Sequence, residues 1–376
     1  MKKIQMVDLG TQYQRIKSDI DRAIIDVVES TAYINGPEVQ KFKESIATYV
    51  GVKHAIPCAN GTDALQIALM ALDLEPGDEV ITVDFTFAAT AEVIGLLRLT
   101  PVLVDVRMDD FNIDPEKIRA AITPRTKAII PVHLFGQCAP MEEIMAIADE
   151  HNIVVIEDNA QAIGAEYTFA DGTTKKAGAI GHMSTTSFFP SKNLGCYGDG
   201  GCIFTNDEAL GTRIAAIVNH GMYKRYYHDD IGVNSRLDSI QAAVLNIKLK
   251  SLDDYNKARY QAAQYYNEAF RDLNEIITPG YSPQSSHVHH QYTLRVNGID
   301  RNALVEYLKK FDIPAMIYYP VALHNQKAYK SDKFKEEDYP ITNELCKVVF
   351  SLPMHTELEQ EQQDFIIEKV KEFIRK

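Results

Sequence analysis

The chain lacks the features that mark membrane-spanning and nucleic-acid-binding proteins. No apolar run approaches the length of a membrane span, and the opening stretch MKKIQMVDLG has no signal-peptide core. Acidic residues outnumber basic ones by 52 to 39, so the formal net charge is -13, whereas binding to phosphate backbones needs clustered positive charge. We therefore expect no nucleic-acid partner and no membrane partner. An anionic ligand would need local cationic or helix N-terminal contacts.

Redox, nucleotide-binding and metal motifs are also absent. The five cysteines are scattered without a C-x-x-C pair, which indicates reduced thiols in a cytoplasmic protein. The motifs G-x-G-x-x-G, G-x-x-x-x-G-K-[ST] and G-x-S-x-G are missing, which argues against a Rossmann dinucleotide site, a P-loop and an α/β-hydrolase. The stretch HVHH (His287, His289 and His290) has no complementary ligands at metal-site spacing, so we expect no metal.

Short strands and helices alternate through the first half of the chain. The segments HAIPCA, DEVITV, PVLVDV, KAIIPV and IVVIED are rich in Val and Ile, and helical patterns lie between them. This alternation predicts an α/β fold with a mainly parallel sheet and helices on both faces. We assign it to a large domain, residues 1–250, which begins with a helical arm.

The second half of the chain predicts a smaller C-terminal α/β domain, residues 251–376. A long helix, or a nearly continuous helix pair, extends from Ser235 to Leu273 and links the two domains. The strand HQYTLRV, the helix RNALVEYLKKF, the strand IPAMIYYP and a final helix from Glu359 are expected to follow. The boundary is placed near Ser251.

Two loops at predicted strand ends suit a bound ligand, because open parallel sheets bind ligands at the carboxyl ends of their strands. In CANGTDAL, Gly61 permits close backbone approach, and the following helix offers free amides to a phosphate. An ordinary helix cap by Asn60 or Thr62 is the alternative. In VVIEDNAQAIGA, Asp158 ends a buried strand, where a carboxylate needs a cation or donor unless it caps the next helix. Gln161 lies one helical turn further on.

Two further loops complete the set. Phe87, in DFTFAATAEV, could stack on a planar ring or simply join the core. In SFFPSKNLGCYGDGG, Ser187 could donate to a phosphate, and a glycine-rich loop presents Lys192. A lysine in a desolvated pocket has a lowered pKa and becomes nucleophilic, although a solvated lysine in a turn is the alternative. A phosphate turn, a stacking aromatic, a strand-end aspartate and an imine-forming lysine together suit pyridoxal phosphate (PLP).

The stretches ANGTDALQIAL, EDNAQAIGA, SFFPSKNLGCYGDGG and GVNSRLDSIQAA resemble the DegT/StrS family of PLP-dependent sugar-nucleotide aminotransferases, and the similarity extends from VDLGTQYQRI to SLPMH. The resemblance implies a fold type I aminotransferase that works as a homodimer with active sites shared between subunits. It implies that Lys192 forms the imine with the cofactor and that Asp158 pairs with the pyridine nitrogen. The other cofactor contacts that it implies are Gly61, Thr62, Asp63, Phe87, Gln161, Ser187 and, from the partner subunit, Asn234.

Within the family, SFFPSKNLGCYGDGG and GVNSRLD look most like the branch that aminates a UDP-linked 3-keto-N-acetylglucosaminuronic acid, with glutamate as the amino donor. That resemblance assigns Arg236 of the partner subunit to the sugar carboxylate, which a guanidinium binds in bidentate fashion; pairing with Asp238 is the alternative. Tyr318 stands where this branch is expected to carry histidine, so a 6-deoxy or unmodified sugar stays open. His324 and Arg225 are further candidates for substrate contact.

Other functions also stay open. They are amine transfer to a 4-keto dTDP or UDP sugar, a PLP dehydratase of related fold, and a non-catalytic sugar-nucleotide sensor. Lys192 counts against the dehydratase, in which histidine replaces the imine lysine, and against the sensor, which needs no lysine. We therefore expect an aminotransferase, and the resemblance implies that it supplies precursors of a surface polysaccharide.

Overall fold

A computed structural model describes residues 2–375 of the chain. The helices and strands follow one another in this order: α1 (Leu9–Ser30), α2 (Pro37–Val50), β1 (His54–Cys58), α3 (Gly61–Met70), β2 (Glu79–Val83), α4 (Ala89–Leu96), β3 (Thr100–Val104), α5 (Pro115–Ala121), β4 (Thr126–Ile130), α6 (Met141–His151), β5 (Val154–Asp158), β6 (Glu166–Thr168), β7 (Thr174–Lys176), β8 (Met183–Ser187), β9 (Gly201–Thr205), α7 (Glu208–Ile217), β10 (Met222–Lys224), β11 (Tyr227–His228), α8 (Ser239–Lys248), α9 (Leu252–Phe270), β12 (Ile276–Ile277), β13 (Tyr292–Val296), α10 (Arg301–Lys309), α11 (Pro340–Val348), β14 (Val349–Leu352) and α12 (Gln360–Ile374). No helix within residues 2–375 is long and apolar enough to cross a membrane.

The central sheet has seven strands in the order β1–β9–β8–β5–β4–β2–β3. The pairs from β8 to β3 are parallel, whereas β9 runs antiparallel to both β8 and β1. All five strands predicted from Val- and Ile-rich segments are confirmed. The expectation of parallel pairing was wrong for β1, because its neighbour β9 is reversed.

Strand β8 carries hydroxyl side chains instead of an apolar run. Ser184, Thr185 and Thr186 are all buried. Their hydroxyl groups donate to backbone carbonyl oxygens of adjacent segments at 2.6, 3.4 and 3.2 Å. Burial is tolerated because each hydroxyl has a partner, but those partners exist only after the sheet has formed.

Helices cover both faces of the sheet, as predicted. Ala128 and Ile130 of β4 pack into the core beneath α3, α4 and α7. Ile129, between them, points to the other core, beneath α5 and α6. The alternation follows from the two-residue period of a strand, and it confirms the α/β class.

The C-terminal part of the chain contains a separate antiparallel sheet in the order β12–β13–β14. Residues of α9, α10 and α12 pack on it and form a third core. The helix predicted from Ser235 to Leu273 is the pair α8 and α9, which a 3-10 turn joins at Leu249–Ser251. The division of the chain into residues 1–250 and 251–376 places its boundary in this turn and stays a prediction.

The predicted strand IPAMIYYP was wrong. Within residues 2–375, its ladder pairing is limited to one isolated bridge from Met316 to Ser351. The side chains of Tyr318 and Tyr319 pack against the core of the large sheet instead. Alternating apolar and aromatic residues resemble a strand in sequence, but here the two tyrosines pack against the large sheet and line the cavity at its edge.

Candidate active site

A cavity of about 490 Å³ opens where β2, β5 and β8 end and α3 begins. Loops from separate parts of the chain meet there because parallel strands end at one edge of a sheet. The lining contains eight of the residues singled out from the sequence: Gly61, Thr62, Phe87, Asp158, Gln161, Ser187, Lys192 and Tyr318.

Asp158 is the last residue of β5 and is only 5% exposed. Its Oδ2 accepts a hydrogen bond from the Thr90 hydroxyl at 2.8 Å, and its Oδ1 accepts from the Ala160 amide at 3.1 Å. These donors fix the orientation of the carboxylate. Asp158 also lines the cavity, where its carboxylate can pair with a cationic group. Thr90 was not identified from the sequence; its position in the first turn of α4, three residues after Phe87, is the signal that could have found it.

Lys192 lies in the loop between β8 and β9 and lines the same cavity. Its backbone amide donates to the Phe189 carbonyl at 2.8 Å, which tightens the loop. Burial lowers the pKa of the Lys192 amine to about 8, against the Asp158 carboxylate, which raises it. Because an ordinary lysine has a pKa of about 10.4, much more of this amine is neutral and nucleophilic near neutral pH.

The start of α3 and the end of β8 form a narrow cradle. A Cβ atom on Gly61 would lie 2.6 Å from Cβ of Ser187, so glycine is required for this approach. Asn60 caps the helix, with its Oδ1 accepting from the Asp63 amide at 2.8 Å. Asn60 therefore caps the helix, as the alternative interpretation expected, and this cap does not prevent the close approach of Gly61 to Ser187. First-turn amides of a helix have no partner within it, so those of Gly61 and Thr62 join the Ser187 hydroxyl as donors for an anion.

Gln161 connects the cavity to the segment that was predicted as a strand. Its Oε1 accepts from the Phe135 amide at 2.8 Å, and its Nε2 donates to the Tyr319 hydroxyl at 3.2 Å. Burial raises the pKa of Tyr319, so the hydroxyl keeps its proton. Tyr319 was not identified from the sequence, which had indicated its neighbour Tyr318. Both tyrosines line the cavity.

Three predicted residues lie outside the cavity lining near the start of α3 and α8. Asp63 contributes its backbone amide to the Asn60 cap. Asn234 is exposed, and its neighbour Ser235 accepts a hydrogen bond from the Ala59 amide at 3.1 Å. Arg236 is half-buried and donates to Asn219 at 3.4 Å. The assignment of Asn234 and Arg236 to another subunit's site stays a prediction.

His324 and Arg225 also lie outside the lining. His324 is buried, and its Nδ1 and Nε2 contact the carboxylates of Asp84 and Glu336 at 2.6 and 3.1 Å. Both ring nitrogens are therefore occupied, which favours a structural role in holding its loop against β2. Arg225 lies in the exposed β10–β11 hairpin and stacks on Tyr226.

The three histidines of HVHH are buried. The rings of His287 and His289 stack at a centroid distance of 3.8 Å, and His290 lines the cavity. Burial lowers the pKa of all three, so they are neutral. Within residues 2–375, no group of three or more His, Cys, Asp or Glu side chains is arranged to hold a metal ion.

The residues of the cavity fit PLP. The cradle that a Cβ atom on Gly61 would fill suits a phosphate, the buried Asp158 carboxylate suits a protonated ring nitrogen, and the Lys192 amine suits an aldehyde. Phe87, 60% exposed at the cavity wall, offers an uncovered aromatic face. Each part of the cofactor has a matching group.

The mainly parallel sheet and this cavity at its carboxyl edge define a fold type I PLP-dependent transferase. The chain belongs to the DegT/DnrJ/EryC1/StrS aminotransferase family, which matches residues 14–371. The family resemblance predicted from the lysine loop and the NSRLD stretch is thereby confirmed.

Individual relatives span the whole chain. It is 46% identical over 376 residues to the "Pleiotropic regulatory protein" of Geobacillus stearothermophilus, covering 99% of each. It is 46% identical over 356 residues to the UDP-2-acetamido-2-deoxy-3-oxo-D-glucuronate aminotransferase of Pseudomonas aeruginosa, covering 95% of this chain and 96% of the relative. The crystal structure of S. venezuelae DesV in complex with a ketimine intermediate is similar with a TM-score of 0.95 and 36% identity, covering 100% of both chains.

Proposed function

We propose that the protein is a PLP-dependent aminotransferase that moves the amino group of glutamate to the C3 keto group of UDP-N-acetyl-3-oxo-glucuronate. The observation that carries the proposal is one cavity holding a lysine amine of lowered pKa, a buried strand-end carboxylate and a helix N-terminal cradle. The similarity to the P. aeruginosa aminotransferase supports the choice of substrate.

The chain's own residues would divide the work between binding and proton transfer. When bound, PLP supplies an aldehyde whose oxygen can be replaced by the nitrogen of an amine, and a ring that takes up the electrons left when a proton is removed. The amides of Gly61 and Thr62 and the Ser187 hydroxyl would bind its phosphate. Asp158, oriented by Thr90, would keep the ring nitrogen protonated.

Lys192 would serve as both attachment point and proton carrier. Its neutral Nζ would hold the cofactor through the aldehyde carbon, with the aldehyde oxygen leaving as water, and would become a free amine again when the nitrogen of an amino substrate replaces it on that carbon. The free Nζ then accepts the proton from the substrate carbon that bears nitrogen, acting as a general base. Because burial lowers the pKa of this amine to about 8, it can accept and return a proton near neutral pH.

Carboxylate recognition points to a second subunit. Among the described residues that line the cavity, Lys192 is the one lysine or arginine, while Asp158 and Asp199 are acidic. Both glutamate and a uronic sugar carry carboxylates that need a cation. We therefore assign Arg236 of the partner subunit to a substrate carboxylate and Asn234 of the partner subunit to the cofactor phosphate, with Tyr318 contacting the sugar.

Absorbance spectroscopy tests the proposed function directly. After addition of PLP, the protein should show a visible band that moves to shorter wavelength with glutamate and returns with a keto-sugar nucleotide. The 3-oxo-glucuronate should restore the band faster than the 3-oxo-glucosamine or a 4-keto-6-deoxy sugar. A preference for a sugar without the C6 carboxylate would overturn the substrate assignment while leaving the aminotransferase intact.

Shared active sites predict complementation between two inactive variants. In a Lys192→Ala/Arg236→Ala heterodimer, one site collects both substitutions and the other site has neither. Differently tagged chains, co-expressed and purified through both tags, should therefore show about half the wild-type kcat per dimer. Sites built from one chain would leave the heterodimer inactive, which would contradict the assignment of Arg236 to the partner's site.

A sensor that binds a sugar nucleotide without turnover is the second candidate, because the G. stearothermophilus relative carries the name of a regulatory protein. Such a sensor would bind the nucleotide sugar while the PLP band stays unchanged with glutamate. The lysine of lowered pKa favours the enzyme, since a binder has no use for a nucleophile.

A further inference from the structure

The residue after Lys192 anchors the lysine loop to the C-terminal part of the chain. Asn193 is 4% exposed. Its Nδ2 donates to Oδ1 of Asn256 at 2.7 Å and to the Val288 carbonyl at 3.0 Å. Asn256 lies on α9, so the position of the lysine depends on a helix that is remote from it in sequence.

Asn256 binds a second active-site loop with its other amide atom. Its Nδ2 donates to the Ile163 carbonyl at 3.1 Å, five residues after Asp158. At Gly164, where φ is +88°, a Cβ atom would lie 2.4 Å from this Nδ2. Only glycine fits there, because a side chain would displace the Asn256 amide. One side chain thus joins the loop of the amine to the loop of the carboxylate.

The next turn of α9 holds a third wall of the cavity. Arg259, 3% exposed, donates through one nitrogen to the carbonyls of His289, His290 and Met354 at 3.2, 3.3 and 3.0 Å. His290 lines the cavity beside Lys192. Asn256 and Arg259 are three positions apart and therefore lie on one face of α9, and both contact segments that line the active site.

We propose that Asn256 is a positioning residue for Lys192, acting through Asn193 and through the Ile163 carbonyl. Without this amide the two loops are no longer tied together, so more water surrounds the half-buried Lys192 in its cavity and the distance of its amine from Asp158 is no longer fixed. This inference rests on the proposed function only in taking Lys192 as the residue that binds the cofactor.

The titratable groups around the amine do not change in this test. Those that line the cavity with Lys192 are Asp158, Asp199, His290, Tyr318 and Tyr319. Arg259 is the further charged group, bound to the His290 carbonyl. Asn256→Ala removes none of these charges, so a change in lysine titration reports hydration and geometry.

The test is the pH dependence of Lys192 labelling in the cofactor-free, full-length chain. Reductive methylation modifies neutral amines, and mass spectrometry gives the extent at Lys192. Asn256→Ala should raise the midpoint by about one pH unit, toward an ordinary lysine. Asn246→Ala is the matched control: it is 6% exposed, and its Nδ2 donates to the Glu38 backbone and side chain at 3.0 and 2.7 Å. Both variants should lose thermal stability, but only the first should move the midpoint.

Asn193→Ala removes the Asn193–Asn256 hydrogen bond through the residue next to Lys192. If Asn256→Ala does not fold, the labelling midpoint of Asn193→Ala tests the proposal instead. The double variant should move the midpoint by clearly less than the sum of the two single changes, because both substitutions remove the same Asn193–Asn256 hydrogen bond. A wild-type midpoint in either single variant, or an equal change in Asn246→Ala, overturns the proposal. A wild-type chain that binds no PLP would instead refute the proposed function, and the labelling profile would still be measurable.

Discussion

Replacing Lys192 by alanine should lower kcat by about 10²–10⁴-fold, the range that one proton-transfer group contributes. The loss should be partly reversed by millimolar methylamine, which can enter the cavity of about 490 Å³ and act as the missing base. Steady-state rates with glutamate and the keto-sugar nucleotide measure both effects. The cradle and Asp158 remain, so the variant should still bind PLP through its phosphate.

Lys248 provides the matched control for this experiment. It is also buried, burial also lowers its pKa to about 8, and its Nζ donates to the Gly195 carbonyl at 2.6 Å. It lies outside the cavity lining, so Lys248→Met should reduce thermal stability and leave kcat within about tenfold, a difference of 1.4 kcal/mol in barrier height. An equal loss of kcat in both variants, or no rescue by the amine, would refute a proton-transfer role for Lys192.

Replacing Glu157 by glutamine should cost about 3–5 kcal/mol of unfolding free energy, the range for a disrupted buried charge. Glu157 is 0% exposed and accepts from the amides of Gly178, Ile180 and Gly181 at 2.8, 2.8 and 2.6 Å, and from His133 Nε2 at 2.8 Å. His133 Nδ1 accepts from a backbone amide, so the ring proton lies on Nε2. The NH₂ group of glutamine would face donors that cannot turn away.

The loss should depend on pH in a defined direction. Burial raises the pKa of Glu157, but the His133 hydrogen bond and the backbone amides outweigh burial, and the net pKa is lowered. A lowered pKa stabilises the fold above the pKa of the unfolded chain, about 4.3, and this stabilisation disappears as the pH falls through the folded value. The gap between wild type and Glu157→Gln in urea unfolding should therefore narrow below about pH 4.3.

Glu79→Gln is the control for this prediction. Glu79 is also buried, but two of its partners are the hydroxyls of Thr123 and Thr126. A hydroxyl can rotate to accept from the new amide, so the loss should be clearly smaller. Equal losses in the two variants, or a loss at Glu157 that does not vary with pH, would show that the backbone amides are not the cause.

Much of the fold and the central chemistry could be predicted from the sequence. Short Val- and Ile-rich segments bury their side chains on both faces of a sheet that helices cover on both sides, so β1 to β5 were recognisable without knowing their neighbours or, for β1, the direction of its pairing. Lys192 and Asp158 were recognisable because a cation in a glycine-rich loop and a carboxylate at the end of an apolar strand each conflict with local expectation. Their order along the chain, together with a phosphate turn and an aromatic residue, matched the parts of a PLP site, and the family motifs agreed with this expectation.

Features that depend on partners distant in the chain were not predictable. The hydroxyl-rich strand β8 is stable only because backbone carbonyls of adjacent segments accept hydrogen bonds from its buried hydroxyl groups. His324 was a candidate for substrate contact until the fold placed it between Asp84 and Glu336. The sequence predicted Tyr319 to lie in a strand, whereas in the structure its hydroxyl accepts a hydrogen bond from Gln161.

The sequence by itself therefore determined which reactive groups the protein carries, because a lysine in a glycine-rich loop, a strand-end carboxylate and a glycine at a helix start are properties of residue type and local backbone. The tertiary structure determined which residues orient the side chains that carry these groups. The hydrogen bonds from Thr90 to Asp158 and from Asn193 to Asn256 span 68 and 63 positions of the chain, a separation that no local pattern encodes. Hydrogen bonds of this kind form only when packing has already brought their donors and acceptors within about 3 Å.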